Sequence, residues 1–173
     1  MPNIRMVSPK SFFIRMNENR RDNWLDEEQL KKGTEDFFRS NDYFNIEYDK
    51  TLDQGVRTFL SPIIATKARN VGGRETSDMI VTLIKPKIKH YDLGFFGLVE
   101  ALTLDVKDNY EQTNLMLVTD SLSYTSIIKN EQISVEIENM MRDGLFVLFL
   151  NHRFAFALFD KYENMTKPIP LPD

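Results

Sequence analysis

Apolar and polar positions alternate over several short stretches of this chain. Phe44, Ile46 and Tyr48 alternate with Asn45 and Glu47, which predicts a half-buried strand. Val56 to Lys67 is rich in β-branched residues and is interrupted by Pro62, so it predicts an edge strand or a bend. Gly72-Gly73 predicts a turn. Asp78 to Ile84 carries Met79, Ile80, Val81, Thr82, Leu83 and Ile84, a run too short and too β-branched for an ordinary helix. After a turn region at Gly94 to Gly97, Leu102, Leu104 and Val106 alternate with Thr103, Asp105 and Lys107, which predicts a strand over Leu98 to Lys107. Asn114 to Thr119 predicts another. Leu145 to Leu150 and Phe154 to Phe159 flank the polar centre Asn151-His152-Arg153 and predict a β-hairpin. Both runs are almost continuously apolar, so both faces are covered or one is a partner surface.

Helical signals are fewer. Asn23 is a good N-cap, and Asp26, Glu27 and Glu28 then complement the helix dipole. Lys31 and Lys32 fall near the end of that helix, and Gly33 can close it, with Thr34 capping a second short helix through Phe37 and Phe38. One longer helix containing Gly33 costs only about 1 kcal/mol more, so both readings stand. Ile133, Ile137, Met140 and Met141 fit helical spacing over Glu131 to Arg142, with Asn130 as cap and Gly144 as terminator. Ile133, Val135 and Ile137 also fit strand alternation, but the charged residues and Gly144 agree with the helix. Ile4 to Met16 predicts a short strand on either side of Ser8-Pro9.

Strands outnumber helices and do not alternate strictly with them. The expected fold is therefore α+β: a mixed or mostly antiparallel sheet of about six strands, two or three helices, and a C-terminal β-hairpin. With 173 residues, 42% hydrophobic and 28% charged, the chain is expected to form a single α+β domain over residues 1–166. Residues 167–173, with alternating prolines, predict an extended tail.

Composition narrows the chemistry. Cysteine is absent, which excludes disulfides, a thiolate nucleophile and zinc–cysteine sites. The first residues lack a signal-peptide pattern, and no apolar run approaches the roughly 20 residues of a membrane span. A soluble, cytoplasmic protein with no membrane partner is expected. The net charge of −4 argues against a general polyanion binder.

Three constellations remain. The first is acidic. Asp78 opens one expected strand, and Asp105 and Lys107 sit two apart on another, so they share a face there. Two carboxylates converging from neighbouring strands can hold Mg²⁺, and a lysine beside them can orient the attacking water on a phosphodiester. Glu35 could add a further acid. Gly73-Arg74-Glu75-Thr76-Ser77-Asp78 followed by Leu104-Asp105-Val106-Lys107 resembles the PD-(D/E)xK nuclease family over about thirty residues. Ser77 stands where that family has proline, Asp105 stands where glutamate is commoner, and no clear helix follows Lys107 directly. The resemblance implies a catalytic set of Asp78, Asp105 and Lys107, with Mg²⁺ on Asp78 and Asp105. The plainer reading is a solvated strand end at Asp105, Lys107 and Asp108.

The second constellation is basic. Lys85, Lys87 and Lys89 alternate with Pro86 and Ile88, so an extended chain puts three ammonium groups on one face, with Arg74 nearby in sequence. Such a row can contact nucleic-acid phosphates, or defend an edge strand against pairing. The third is aromatic. Phe146, Phe149, Phe154 and Phe156 lie in the C-terminal hairpin region and can form the core or an oligomer interface. Neither His90 nor His152 has neighbours that suggest a catalytic set.

Without a decisive catalytic set, the expected function is a non-enzymatic interaction protein. It would bind a protein partner, or itself, through the C-terminal hairpin and need no cofactor. The alternatives are a Mg²⁺-dependent nuclease and nucleic-acid binding without cleavage.

Overall fold

The computed structural model describes residues 25–43, 45–52, 59–89, 92–120, 123, 127, 130–150 and 156–158. The expected strands over Ile4 to Met16, the expected cap Asn23, and the tail 167–173 lie outside them.

Helix α1 (Glu27–Ser40) starts at Asp26. The Asp26 carboxylate accepts from the Gln29 backbone N–H at 2.8 Å, and the Gln29 side chain accepts from the Asp26 N–H at 3.0 Å. This reciprocal box satisfies two amide donors that a bare helix end leaves orphaned. Gly33 does not close the helix. Leu30, Gly33, Thr34, Phe37 and Phe38 are all buried on one continuous face, and a break at Gly33 would split it. The Thr34 hydroxyl donates to the Leu30 carbonyl at 2.7 Å, so its polar group is satisfied within the helix rather than spent on a new cap.

Strands β1 (Asn45–Leu52), β2 (Phe59–Val71) and β3 (Arg74–Ile84) form an antiparallel meander. Gly72 and Gly73, at φ 60° and 83°, make the two-residue β2–β3 turn. Two successive left-handed residues give the turn whose twist matches the flanking strands, and glycine adopts them without strain. Strand β4 (Thr113–Asp120) then pairs parallel to β3, and β5 (Phe146–Leu150) parallel to β4. These five strands are the body of a mixed sheet, one fewer than the six expected. A three-residue strand, β6 (Phe156–Leu158), lies antiparallel to β5 at the edge. The strands run in sequence order across the sheet.

Helix α2 (Leu93–Asn109) carries the chain from β3 to β4, and α3 (Glu131–Arg142) from β4 to β5. The α2 assignment corrects the expected strand over Leu98 to Lys107 and the expected turn at Gly94 to Gly97. The misleading alternation of Leu102, Leu104 and Val106 arises because α2 carries apolar residues around its whole circumference. A strand there could not join two parallel neighbours, which need a crossover of a dozen or more residues. Helix α3 forms as expected, with the Asn130 side chain accepting from the Ile133 N–H at 3.3 Å. Gly144 follows at φ 100°.

Two apolar layers sandwich the sheet. Leu30, Phe37 and Phe38 of α1 pack on Ile63, Ala65, Ile80, Ile84, Met116, Val118, Leu148 and Leu150. On the other face α2 and α3 pack on Ile64, Val81, Leu115, Leu117, Val147 and Phe149. Successive residues of β4 and β5 thus alternate between two buried layers, which is why their sequences are almost continuously apolar.

Pro62 sits inside β2, a strand paired on both sides, and not at an edge. It lacks an N–H, and the ladder is repaired around it by side chains. The Thr82 N–H donates to the Ser61 hydroxyl oxygen at 3.0 Å, and the Thr82 hydroxyl donates to the Ile63 carbonyl at 2.7 Å. Asp49, opposite Pro62 in register, has φ 51°. The irregularity changes which face the strands present. Ile46 and Ile63 pack toward α1, whereas Leu52 and its cross-strand partner Phe59 pack toward α2 and α3.

Candidate functional site

The acidic constellation does not assemble. Asp78 lies on β3, opposite Lys67 of β2. It shares the parity of Ile80 and Ile84, so it belongs to the face covered by α1. There it faces Tyr43, whose phenol is held above its ordinary value by burial and secondarily by the Asp78 charge. Asp105 and Lys107 lie on α2, on the opposite side of the sheet. Two residues apart on a helix, they project about 200° away from each other instead of sharing a strand face. The Lys107 ammonium pairs with Asp143 at 2.8 Å. That hydrogen bond ties the end of α2 to the end of α3 and raises the Lys107 pKa. With the sheet between Asp78 and Asp105, one metal ion cannot bridge them. Among the described residues no cluster of three or more acidic or histidine side chains suits a metal. Glu35, on the α1 face, accepts from the Tyr48 hydroxyl at 2.6 Å and from Arg39 at 2.8 Å.

The lysines are not an extended row. Lys85 continues β3 by donating its N–H to the Val118 carbonyl at 2.9 Å. The chain then bends, with Lys87 at φ 55° and Ile88 buried in the layer beneath α2 and α3. The Lys85 ammonium lies 5.6 Å from the centre of the Phe95 ring. Arg74 is at the other end of β3, about 35 Å from Lys85 at strand rise, and does not join the lysines.

What this loop builds is a buried polar latch at the carboxyl end of β4, which pattern reading missed. Asp120 is 0% exposed. Its carboxylate accepts from the Lys87 N–H at 2.8 Å, the Ser123 N–H at 3.0 Å and the Ser123 hydroxyl at 2.9 Å. The Ser123 oxygen in turn accepts from the Ile88 N–H at 2.8 Å and the Thr119 hydroxyl at 2.9 Å. Burial pushes the Asp120 pKa up, and the hydrogen bonds from Lys87 and Ser123 oppose it. The Ser123 hydroxyl has its proton on Asp120 and both lone pairs engaged, so it is committed to holding the β3–α2 loop against β4. Carboxyl ends of parallel strands are common ligand positions, but here main-chain amides fill the role of ligand. The only sequence signal was an Asp-x-x-Ser spacing directly after an apolar strand.

The aromatic constellation divides. Phe149 is fully buried between the sheet and the α2/α3 layer, so it belongs to the core and not to an interface. Phe146, at the start of β5, is 40% exposed. Phe154, His90 and His152 lie outside the described residues, as does the side chain of Phe156.

Among the described residues, α2 carries three of the exposed large hydrophobic side chains. Its inner side buries Phe96, Val99, Leu102 and Val106. On its outer side Leu93, Leu98 and Leu104 are 49%, 41% and 40% exposed. Gly94 and Gly97 lie between Leu93 and Leu98, and the exposed Glu100 between Leu98 and Leu104; a Cβ placed on either glycine would meet none of the described residues within 4 Å. No charged residue occurs from Leu93 to Val99. Among the described residues, no helix is long and apolar enough to cross a membrane. No family model, curated protein or solved structure matches this chain.

Proposed function

We propose that this is a non-enzymatic interaction protein, docking a protein partner through the outer face of α2. The observation that supports the reading is the distribution of apolar residues on that helix. Single exposed leucines are ordinary on a protein surface. Leu93 and Leu98, with no charge between them, and Leu104 beyond Glu100 put three on one helix whose inner side is already buried, a grouping that suits a covered face. The sheet covers only the inner side. Phe146 is the one described aromatic of the hairpin available to extend such a contact. The nuclease alternative loses its support, because its two metal ligands stand on opposite faces of the sheet.

The test compares the size of the tagged chain in an extract of its own source cells with that of a Leu104→Glu variant. The wild type should elute in a complex well above 20.3 kDa, and the variant at the size of a single chain. If the wild type also elutes there, the interaction reading is wrong.

A further inference from the structure

We infer that Asp143-Gly144, where α3 turns into β5, is a site of spontaneous covalent modification: its aspartate isomerises to isoaspartate, at a rate held down by the Lys107 ion pair between α2 and α3.

The helix end creates the reactive pair. Helix α3 closes with the Gly144 N–H donating to the Met141 carbonyl at 3.1 Å and the Leu145 N–H donating to the Met140 carbonyl at 3.1 Å. Those two bonds form a closing motif that places one left-handed residue just past the helix, and Gly144, at φ 100°, is that residue. The cap therefore favours glycine directly after Asp143. A residue with no side chain also leaves its amide nitrogen unhindered beside the preceding carboxyl. Of the seven glycines in the chain, Gly144 alone follows an aspartate or asparagine.

In the reaction the Gly144 nitrogen bonds to Asp143 Cγ, and the carboxyl hydroxyl leaves with the amide proton as water. Water then opens the resulting imide ring at either carbonyl. One opening returns aspartate. The other leaves isoaspartate, whose backbone runs through the former side chain and whose α-carboxylate is free. The step is neutral in electrons and uses no co-reactant but water.

The folded junction opposes ring closure. Closure needs the Gly144 nitrogen eclipsed with Asp143 Cβ, but at ψ 8° that nitrogen lies over the Asp143 nitrogen instead. The Gly144 N–H is occupied by Met141. The Asp143 carboxylate is held by the Lys107 ammonium at 2.8 Å, which ties it to α2. The Gly144 carbonyl accepts from the Asn114 side chain at 2.8 Å, so the next peptide is fixed to β4. The Lys107 bond is the outermost of these restraints, and both its side chains are partly exposed. It can release while the sheet and core stay folded, as local openings do. Once formed, isoaspartate lengthens the backbone between Met140 and Leu145, so the two cap bonds and the Asn114 contact cannot all be remade.

The test incubates the purified full chain at neutral pH, folded and in guanidinium chloride, and follows the isoaspartyl form of the peptide containing Asp143, which chromatography separates from its parent of equal mass. The folded chain should accumulate it at least about tenfold more slowly than the denatured chain. Lys107→Met should speed the folded chain about two- to fivefold, the share expected of a partly exposed ion pair. Lys107→Arg, which keeps the pair, should match the wild type. All three should react equally in denaturant, where no ion pair remains. Asp143→Glu, which would have to close a larger ring, should give no signal. Absence of isoaspartate at residue 143 in denaturant overturns the site. A folded chain that reacts as fast as the denatured one, or Lys107→Met no faster than wild type or no faster than Lys107→Arg, overturns the Lys107 restraint.

Discussion

Asp120 is the residue on which the carboxyl end of β4 depends. Replacing it with alanine leaves the Lys87 and Ser123 amides buried without their acceptor, and each such orphan costs about 1–3 kcal/mol. Asp120→Ala should therefore lower unfolding free energy by about 2–5 kcal/mol in urea titration. A loss under 1 kcal/mol would mean that water replaces the carboxylate. Asp120 and Glu35 act oppositely on pH dependence. Glu35 is held below its ordinary value, first by the Tyr48 hydrogen bond and then by the one from Arg39. Its contribution is thus present above the unfolded-state pKa and disappears as pH falls through the lower folded value. Asp120 is raised, so the folded chain holds that proton more tightly than the unfolded one. Stability from this group grows as pH falls through its folded value, and is withdrawn as pH rises through the same window. Asp120→Asn should flatten the fall in stability on the alkaline side of the ordinary carboxylate range, near about pH 4 and above. An unchanged slope there would show that Asp120 is not the group titrating.

At the scale of elements, the same substitution should have opposite signs in different places. Gly97→Ala, at an open helical position, should stabilise the single chain by about 0.5–1 kcal/mol. Gly144→Ala should destabilise it by about 1–3 kcal/mol, since its φ is left-handed and the new Cβ would come 2.7 Å from the Asn114 amide nitrogen. Thermal melts of the two variants at low concentration check both signs together. Strand β2 offers a third case. Ser61→Ala removes the hydroxyl that accepts from the Thr82 N–H and donates to the Thr82 carbonyl, each at 3.0 Å, beside Pro62, which has no N–H to give. A loss of about 1–3 kcal/mol is expected, and Pro62→Ala in the same background should recover part of it by restoring a donor. If Ser61→Ala is neutral, the proline is accommodated in some other way.

For the molecule as a whole, stability comes from two apolar layers on one sheet, and that sheet separates Asp78 from Asp105, the two carboxylates expected to share Mg²⁺. Millimolar Mg²⁺ or a chelator should therefore leave the melting temperature unchanged, because only a ligand that binds the folded state preferentially raises it. A rise of several degrees with Mg²⁺ would revive the metal reading. The whole molecule is also where α2 acquires its meaning. Its inner side is one wall of the core, and its outer side is the face proposed here for docking a partner.

Local pattern carried much of this. The α1 dipole signals, the Gly72-Gly73 turn, the apolar runs of β3, β4 and β5, and the Asn130 and Gly144 boundaries of α3 were all legible, because each depends on residues within a few positions of one another. The α2 helix was not legible. A helix with leucines on its outer side as well as its buried one leaves little contrast for a 3.6-residue period to reveal, and its glycines imitate a turn. Parallel pairing of β3, β4 and β5 was hidden too, since it joins segments that only a crossover brings together. The tertiary structure alone decided that Asp78 and Asp105 face away from each other across the sheet, that Phe149 is core, and that Asp120 reaches back to the loop after β3. Those are relations between distant parts of the chain, fixed by which face of the sheet each helix covers, and a linear pattern holds no record of that choice.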